Sequence, residues 1–186
     1  MEYLQSAEVN ALLKAAYDYG NREAHLCLLT MYGTGTRVSQ ALKLRGCDIV
    51  PDTENPGSYR VRILQAKRGQ TRLFRVLASP NPCLDMRGLV ELAKVRGNNK
   101  LFGGLSRHYL HTLLKRFAVD AGLHPEMVHA HTIRHSSGMR VYERTQRIGC
   151  VSGFLAHSNP ASAFVYVREH DGSIADSAMA AVFSEA

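Results

Sequence analysis

The stretch that decides the fold is Ala24-His25-Leu26-Cys27-Leu28-Leu29-Thr30-Met31, followed by Gly33-Thr34-Gly35-Thr36-Arg37. Its apolar residues fall nearly all round a helical wheel, which predicts a helix enclosed by others. The glycines then break that helix and deliver Arg37 to the start of a short one, whose Val38, Ala41, Leu42 and Leu44 run into the core. Upstream, Ser6 is placed to cap a first helix, with Glu8 in its first turn. Val9, Leu12, Leu13, Ala16 and Tyr17 share one face of it, and Gly20 ends the run. Downstream, a polar turn region spans 51–57, and Tyr59, Val61 and Ile63 then alternate with the two-residue period of a strand. Leu73, Phe74, Val76 and Leu77 form a second, less regular strand, joined to the first by a hairpin tip at Ala66-Lys67-Arg68-Gly69-Gln70. Helices follow at about 84–95 and 106–121. The latter carries Leu110, Leu113, Leu114 and Phe117 on its stripe and stops at Gly122. From 132 to about 168 the pattern predicts three short helices, separated by Gly149 and by Ser158-Asn159-Pro160. The fold expected is mainly α with a small antiparallel β-sheet or hairpin (α+β), in one domain over residues 1–186.

With 186 residues the chain can bury one sizeable core, and 45% hydrophobic with 21% charged residues is ordinary for a folded domain. Lys and Arg number 23 against 16 Asp and Glu, a net charge of +7 that suits a polyanion such as nucleic acid. Charge alone would fit plain solubility equally well. Cys27, Cys47, Cys83 and Cys150 form no C-x-x-C pair and read as reduced, mostly buried thiols. No apolar run is long enough to cross a membrane, and the start has no signal-peptide pattern, so a soluble, cytoplasmic protein is expected.

Six residues, Arg37, Lys67, His131, Arg134, His157 and Tyr166, supply in order what breaking a DNA phosphodiester without a metal requires. Charge builds on the non-bridging oxygens, so donors must be aimed at them beforehand. Arg37 and Arg134 suit this, because a guanidinium stays charged and grips two oxygens at once. His131, three residues before Arg134, can converge with it near a helix start, and His157 lies in a loop from which it can reach the same phosphate. Lys67, on the hairpin tip, can protonate the leaving 5′ oxygen, and Tyr166 can be the nucleophile. Each residue alone has a dull reading as a surface arginine, a loop histidine, a solubilising lysine or an amphipathic-helix tyrosine. Their joint order moves the odds. The spacing of His124, His129, His131 and His135 fits no common zinc pattern, and no metal site is expected.

These stretches closely resemble the tyrosine recombinase (phage integrase) family. Gly33-Thr34-Gly35-Thr36-Arg37-Val38-Ser39-Gln40-Ala41-Leu42-Lys43-Leu44 is similar to its first arginine box, and the hairpin around Lys67 to its lysine hairpin. His131-Thr132-Ile133-Arg134-His135 matches the second box, and Leu155-Ala156-His157-Ser158 with Tyr166 matches the third box and nucleophile. The resemblance implies the catalytic-domain fold of that family and a site-specific recombinase or integrase. It implies that Tyr166 forms a 3′-phosphotyrosyl link, with Lys67 as acid and no metal or nucleotide cofactor. The implied partners are double-stranded DNA, further copies of the chain (a tetramer in the synapse) and accessory DNA-bending proteins, with nucleoid association when bound. A type IB topoisomerase and a non-cutting DNA-binding regulator on the same fold are the alternatives.

Some positions depart from the family pattern. Gln40 stands where an acidic residue often supports the first arginine, and its amide could hydrogen-bond that guanidinium. Ala156 stands where glycine is usual, so a left-handed backbone there would be strained. The N-terminal core-binding domain of many relatives has no counterpart in 1–186. Arg60, Arg62, Arg72 and Arg75 on the strands, and Arg107, Lys115 and Arg116 on a helix, are candidates to face DNA. The stretch 173–186 reads as an amphipathic helix for docking on a neighbouring copy.

Overall fold

In a computed structural model, which describes residues 3–64, 71–157 and 159–167, the apolar stretch at Ala24 becomes helix α2 (Arg22–Thr34). The Asn21 side chain accepts the Ala24 N–H at 3.1 Å, satisfying one of the unpaired amides of the first turn. Left-handed Gly35 (φ 62°) ends the helix. Against α2 pack α1 (Ser6–Asp18) and α6 (Ala130–Thr145), and α5 (Arg107–Asp120) packs on α1. The main core draws Leu12 and Leu13 from α1, Leu28 and Met31 from α2, Leu114 and Phe117 from α5, and Ile133 from α6. In α1 the cap position falls to Gln5, one residue earlier than expected, and the Glu8 carboxylate accepts the Gln5 N–H at 2.7 Å.

Three strands, β1 (Ile49–Pro51), β2 (Tyr59–Leu64) and β3 (Thr71–Arg75), form an antiparallel sheet in that order. Val61 and Ile63 point into the core as the alternation implied. β1 went unforeseen because three residues ending in Pro51 are too short to display a period, though Ile49 pairs with Val61 and is buried with it. A short helix α3 (Val38–Ala41) precedes the sheet, and α4 (Gly88–Arg96) follows it.

The C-terminal third differs from expectation in its breaks. α6 runs to Thr145, left-handed Gln146 (φ 53°) ends it, and α7 (Ile148–Leu155) begins two residues on, with Gly149 inside it. The turn between the two helices thus uses a glutamine and not the expected glycine. A 3-10 turn over Pro160–Ala163 and a helical turn at 164–167 bring Tyr166 back onto α6 and α7. There it joins a second, smaller apolar cluster with Met139, Tyr142, Val151, Leu155 and Ala163. Of the cysteines only Cys27 and Cys83 are buried, while Cys47 and Cys150 are exposed. The stretch 173–186 lies outside the described residues. Among the described residues, no helix is long and apolar enough to cross a membrane.

Candidate active site

The last carbonyls of a helix have no donor within it, and the C-terminal end of α7 is where the separated motifs meet. Arg134, on the second turn of α6, is 5% exposed. Its Nη1 donates to the carbonyl of Gly35, and its Nη2 to that of Leu155 at 2.6 Å. One guanidinium therefore ties the turn before Arg37 to the turn before His157. Gly35 is packed so tightly there that a Cβ would lie 2.7 Å from both Leu155 Cδ2 and Phe154 Cε1. Ala156 closes α7 in the left-handed region (φ 52°, ψ 54°), the strained backbone that the sequence comparison with glycine had implied. The next N–H, of His157, donates to the Ser152 carbonyl at 3.1 Å and fixes the loop.

Tyr166 is 4% exposed and lies against this hub. Its ring is 4.8 Å from that of His135 and 6.2 Å from that of His157, the latter stacked at 24°. Gly138, inside α6, makes the approach feasible: a Cβ there would meet Tyr166 Cε1 at 2.6 Å and Cζ at 2.7 Å. His135 is also touched edge-on by Tyr3 at 6.0 Å, and the Leu4 N–H beside it donates to Ser136 Oγ at 2.8 Å. His131 sits on the first turn of α6, exposed, its ring stacked 6.4 Å from that of His129. Arg37 is exposed at the N-cap of α3. Lys67 lies outside the described residues.

Electrostatics tie these groups together. Arg134 is lowered to about 10, first by burial and then by Arg37, with Arg72 adding to the effect and Tyr166 opposing it. Burial and the charges of Arg134 and Arg37, then His131 and His135, push His157 down to about 4. His131 is lowered as well, by loss of water around the ring and then by His135, His129, Arg134 and Arg37. The His157 Nδ1 is buried and has no hydrogen-bond partner among the described residues. Positive groups are thus concentrated around one place, an electrostatic setting that suits an anion.

Several expectations need correction. Gln40 does not support the guanidinium of Arg37; its Oε1 accepts the Arg37 backbone N–H at 3.3 Å, and its Nε2 donates to the Leu64 carbonyl at 3.2 Å. It joins the first box to the end of β2. Arg60 is bound by Asp52 (3.0 Å) and Glu54 (2.6 Å), and Arg62 by Asp48 (3.2 Å), so much of the sheet's positive charge is neutralised within the domain. Arg72 faces inward and donates to the Phe154 carbonyl. On α5, Arg116 pairs with Asp120 at 3.0 Å, and Lys115 donates to the Pro125 carbonyl at 2.7 Å. Arg72, a candidate to face DNA, instead holds the end of α7, and Gly138 is the residue at the site that no motif singles out. The signal for Gly138 was present, since a glycine inside a helix needs a reason such as a close neighbour. Among the described residues no group of His, Cys, Asp or Glu could hold a metal ion.

The model of the phage integrase family matches residues 2–172. The tyrosine recombinase XerD of Rickettsia conorii is 26% identical over 182 residues, which cover 90% of this chain and 60% of that protein. The chain spans about half to three-fifths of the length of the curated relatives it matches. Among solved structures, the XerH site-specific recombinase in a post-cleavage complex with palindromic difH substrate superposes with a TM-score of 0.75. It is 21% identical, over 95% of this chain and 52% of that one. The catalytic domain of bacteriophage HP1 integrase superposes with a TM-score of 0.65 at 17% identity, covering 90% of this chain and 88% of that one.

Proposed function

Because the chain belongs to the phage integrase family, we propose that it is the catalytic domain of a tyrosine site-specific recombinase. The observation that carries this reading is the burial of Tyr166 between His135, His157 and Gly138, within electrostatic reach of Arg134. In the proposed reaction the Tyr166 hydroxyl attacks the scissile phosphorus, and its proton passes to a neighbouring neutral imidazole. The bond from phosphorus to the 5′ oxygen breaks, leaving a 3′-phosphotyrosyl link, and Lys67 protonates the departing oxygen. Arg37, Arg134, His131 and His157 stabilise the charge on the non-bridging oxygens. A 5′-hydroxyl of the partner strand then reverses the step, and a tetramer on two sites carries out both exchanges.

Covalent capture tests the reading. Wild type and Tyr166→Phe are incubated, in EDTA, with labelled duplexes from the ends of the DNA element that encodes the protein, then run on denaturing gels. An adduct with wild type alone is expected. Binding without an adduct in either protein would instead favour a non-cutting DNA-binding module.

A further inference from the structure

Of the arginines on the sheet, Arg72 differs in orientation. Arg60 and Arg75 sit opposite each other on the face where Asp52 lies, and Arg62 pairs with Asp48. Arg72 lies opposite buried Ile63 and is turned toward α7. Its Nη2 donates to the carbonyl of Phe154, the residue before the Leu155 whose carbonyl Arg134 holds. Its guanidinium lies 4.4 Å from the Phe74 ring centre, and Phe74 meets Phe154 edge to face at 6.0 Å. β3 thereby grips both the main chain and the side chain of Phe154. Two successive orphan carbonyls at the end of α7 are thus held by two arginines, one from α6 and one from the sheet. Left-handed Ala156 and then His157 follow directly, with no slack to absorb a shift.

We infer that Arg72 is a positioning residue for DNA cleavage: it anchors the end of α7 to β3 and so sets where His157 meets the phosphate, a role that rests on the function proposed above. It acts through Phe154 and does not itself contact DNA. A group committed to a carbonyl and laid on an aromatic ring is a strut, and rigid support of this kind keeps catalytic groups within a fraction of an ångström.

The test uses Arg72→Met, Arg72→Lys and, as a control on the same strand, Arg75→Met. Amide hydrogen exchange is followed at Ala156 and His157, whose N–H groups donate to Gly153 (3.2 Å) and Ser152 (3.1 Å). Exchange there should quicken on the order of tenfold in Arg72→Met, the scale of one lost hydrogen bond. Lysine at this position, which can still reach the carbonyl, should restore much of the protection. Arg75 has its side chain on the opposite face, so Arg75→Met should leave exchange at Ala156 and His157 as in wild type. At saturating protein, adduct formation by Arg72→Met should fall on the order of 100-fold, as for a misplacement of about 1 Å, with DNA affinity nearly unchanged. Unchanged exchange would overturn the strut whatever the adduct does. Faster exchange with an unchanged cleavage rate would overturn the positioning role. A loss of affinity as large as the loss of rate would make Arg72 a DNA ligand instead. If wild type forms no adduct, the recombinase reading fails and the catalytic role with it, while exchange still reports separately whether Arg72 holds the helix end.

Discussion

Substituting alanine for Gly138 sets two physical effects against each other, and their balance can be worked out beforehand. Glycine inside a helix costs about 0.8–1.0 kcal/mol relative to alanine, so propensity alone predicts that Gly138→Ala stabilises the protein. The added Cβ would lie 2.6 Å from Tyr166 Cε1, 2.7 Å from Cζ and 2.8 Å from Leu155 Cδ1. Ordinary carbon contacts are about 3.5–4.0 Å, so the ring and Leu155 must each retreat by about 1 Å. Overpacking of this kind costs about 1–3 kcal/mol, more than the helix gains. We expect a net loss of about 0–2 kcal/mol, read as a lower urea midpoint at unchanged slope. The functional consequence should be larger than the loss of stability. A nucleophile displaced by about 1 Å forfeits on the order of 100-fold in rate, so single-turnover adduct formation should collapse while DNA binding persists. A variant more stable by about 1 kcal/mol that still cleaves at the wild-type rate would refute the packing argument, because helix propensity would then have prevailed unopposed.

Other expectations follow from the same geometry. Ala156→Gly should relieve about 1–2 kcal/mol of left-handed strain, offset by about 0.4–1 kcal/mol of extra unfolded-state entropy, for a modest rise in melting temperature; a fall would mean the strain was absent. Arg134→Ala should slow cleavage by about 3–4 kcal/mol if it removes a transition-state donor. It should also destabilise the fold by about 1–3 kcal/mol, since the Gly35 and Leu155 carbonyls lose their donor, so urea titration must accompany the kinetics. His157 sets a pH dependence whose sign is fixed. Its folded-state pKa of about 4 lies below the unfolded value of about 6.5, so the unfolded chain binds the extra proton. Stability should therefore be complete above about pH 6.5 and decline as the pH falls toward 4. His157→Gln should flatten that decline in melting curves between these limits; an identical slope would assign it to other groups.

The sequence by itself determined most of the helical framework and nominated the candidate reacting groups. An apolar wheel such as 24–31 has one stable fate, and Val61 and Ile63 alternate as only a half-buried strand does. The six candidate residues stood out because they follow one another in short motifs, and the structure brings Arg134, His157 and Tyr166 together while Lys67 lies outside the described residues. What the tertiary structure alone decided was partnership across the chain. Arg134 joins Gly35 to Leu155, Gln40 spends its amide on Leu64 and the Arg37 backbone, and Arg60 is held by Asp52 and Glu54, so it is not free for phosphate. Local pattern cannot anticipate such pairings, because a side chain's nearest charge or carbonyl depends on which surfaces pack together. The helix break at Gln146 was hidden because a left-handed turn usually advertises itself with glycine, and here it falls on an exposed glutamine whose amide donates to the Glu143 carbonyl at 3.2 Å. Gly138 and Arg72 show the same division. Their residue types were plain, but the ring that one admits and the helix end that the other holds exist only once α6, α7 and β3 have come together.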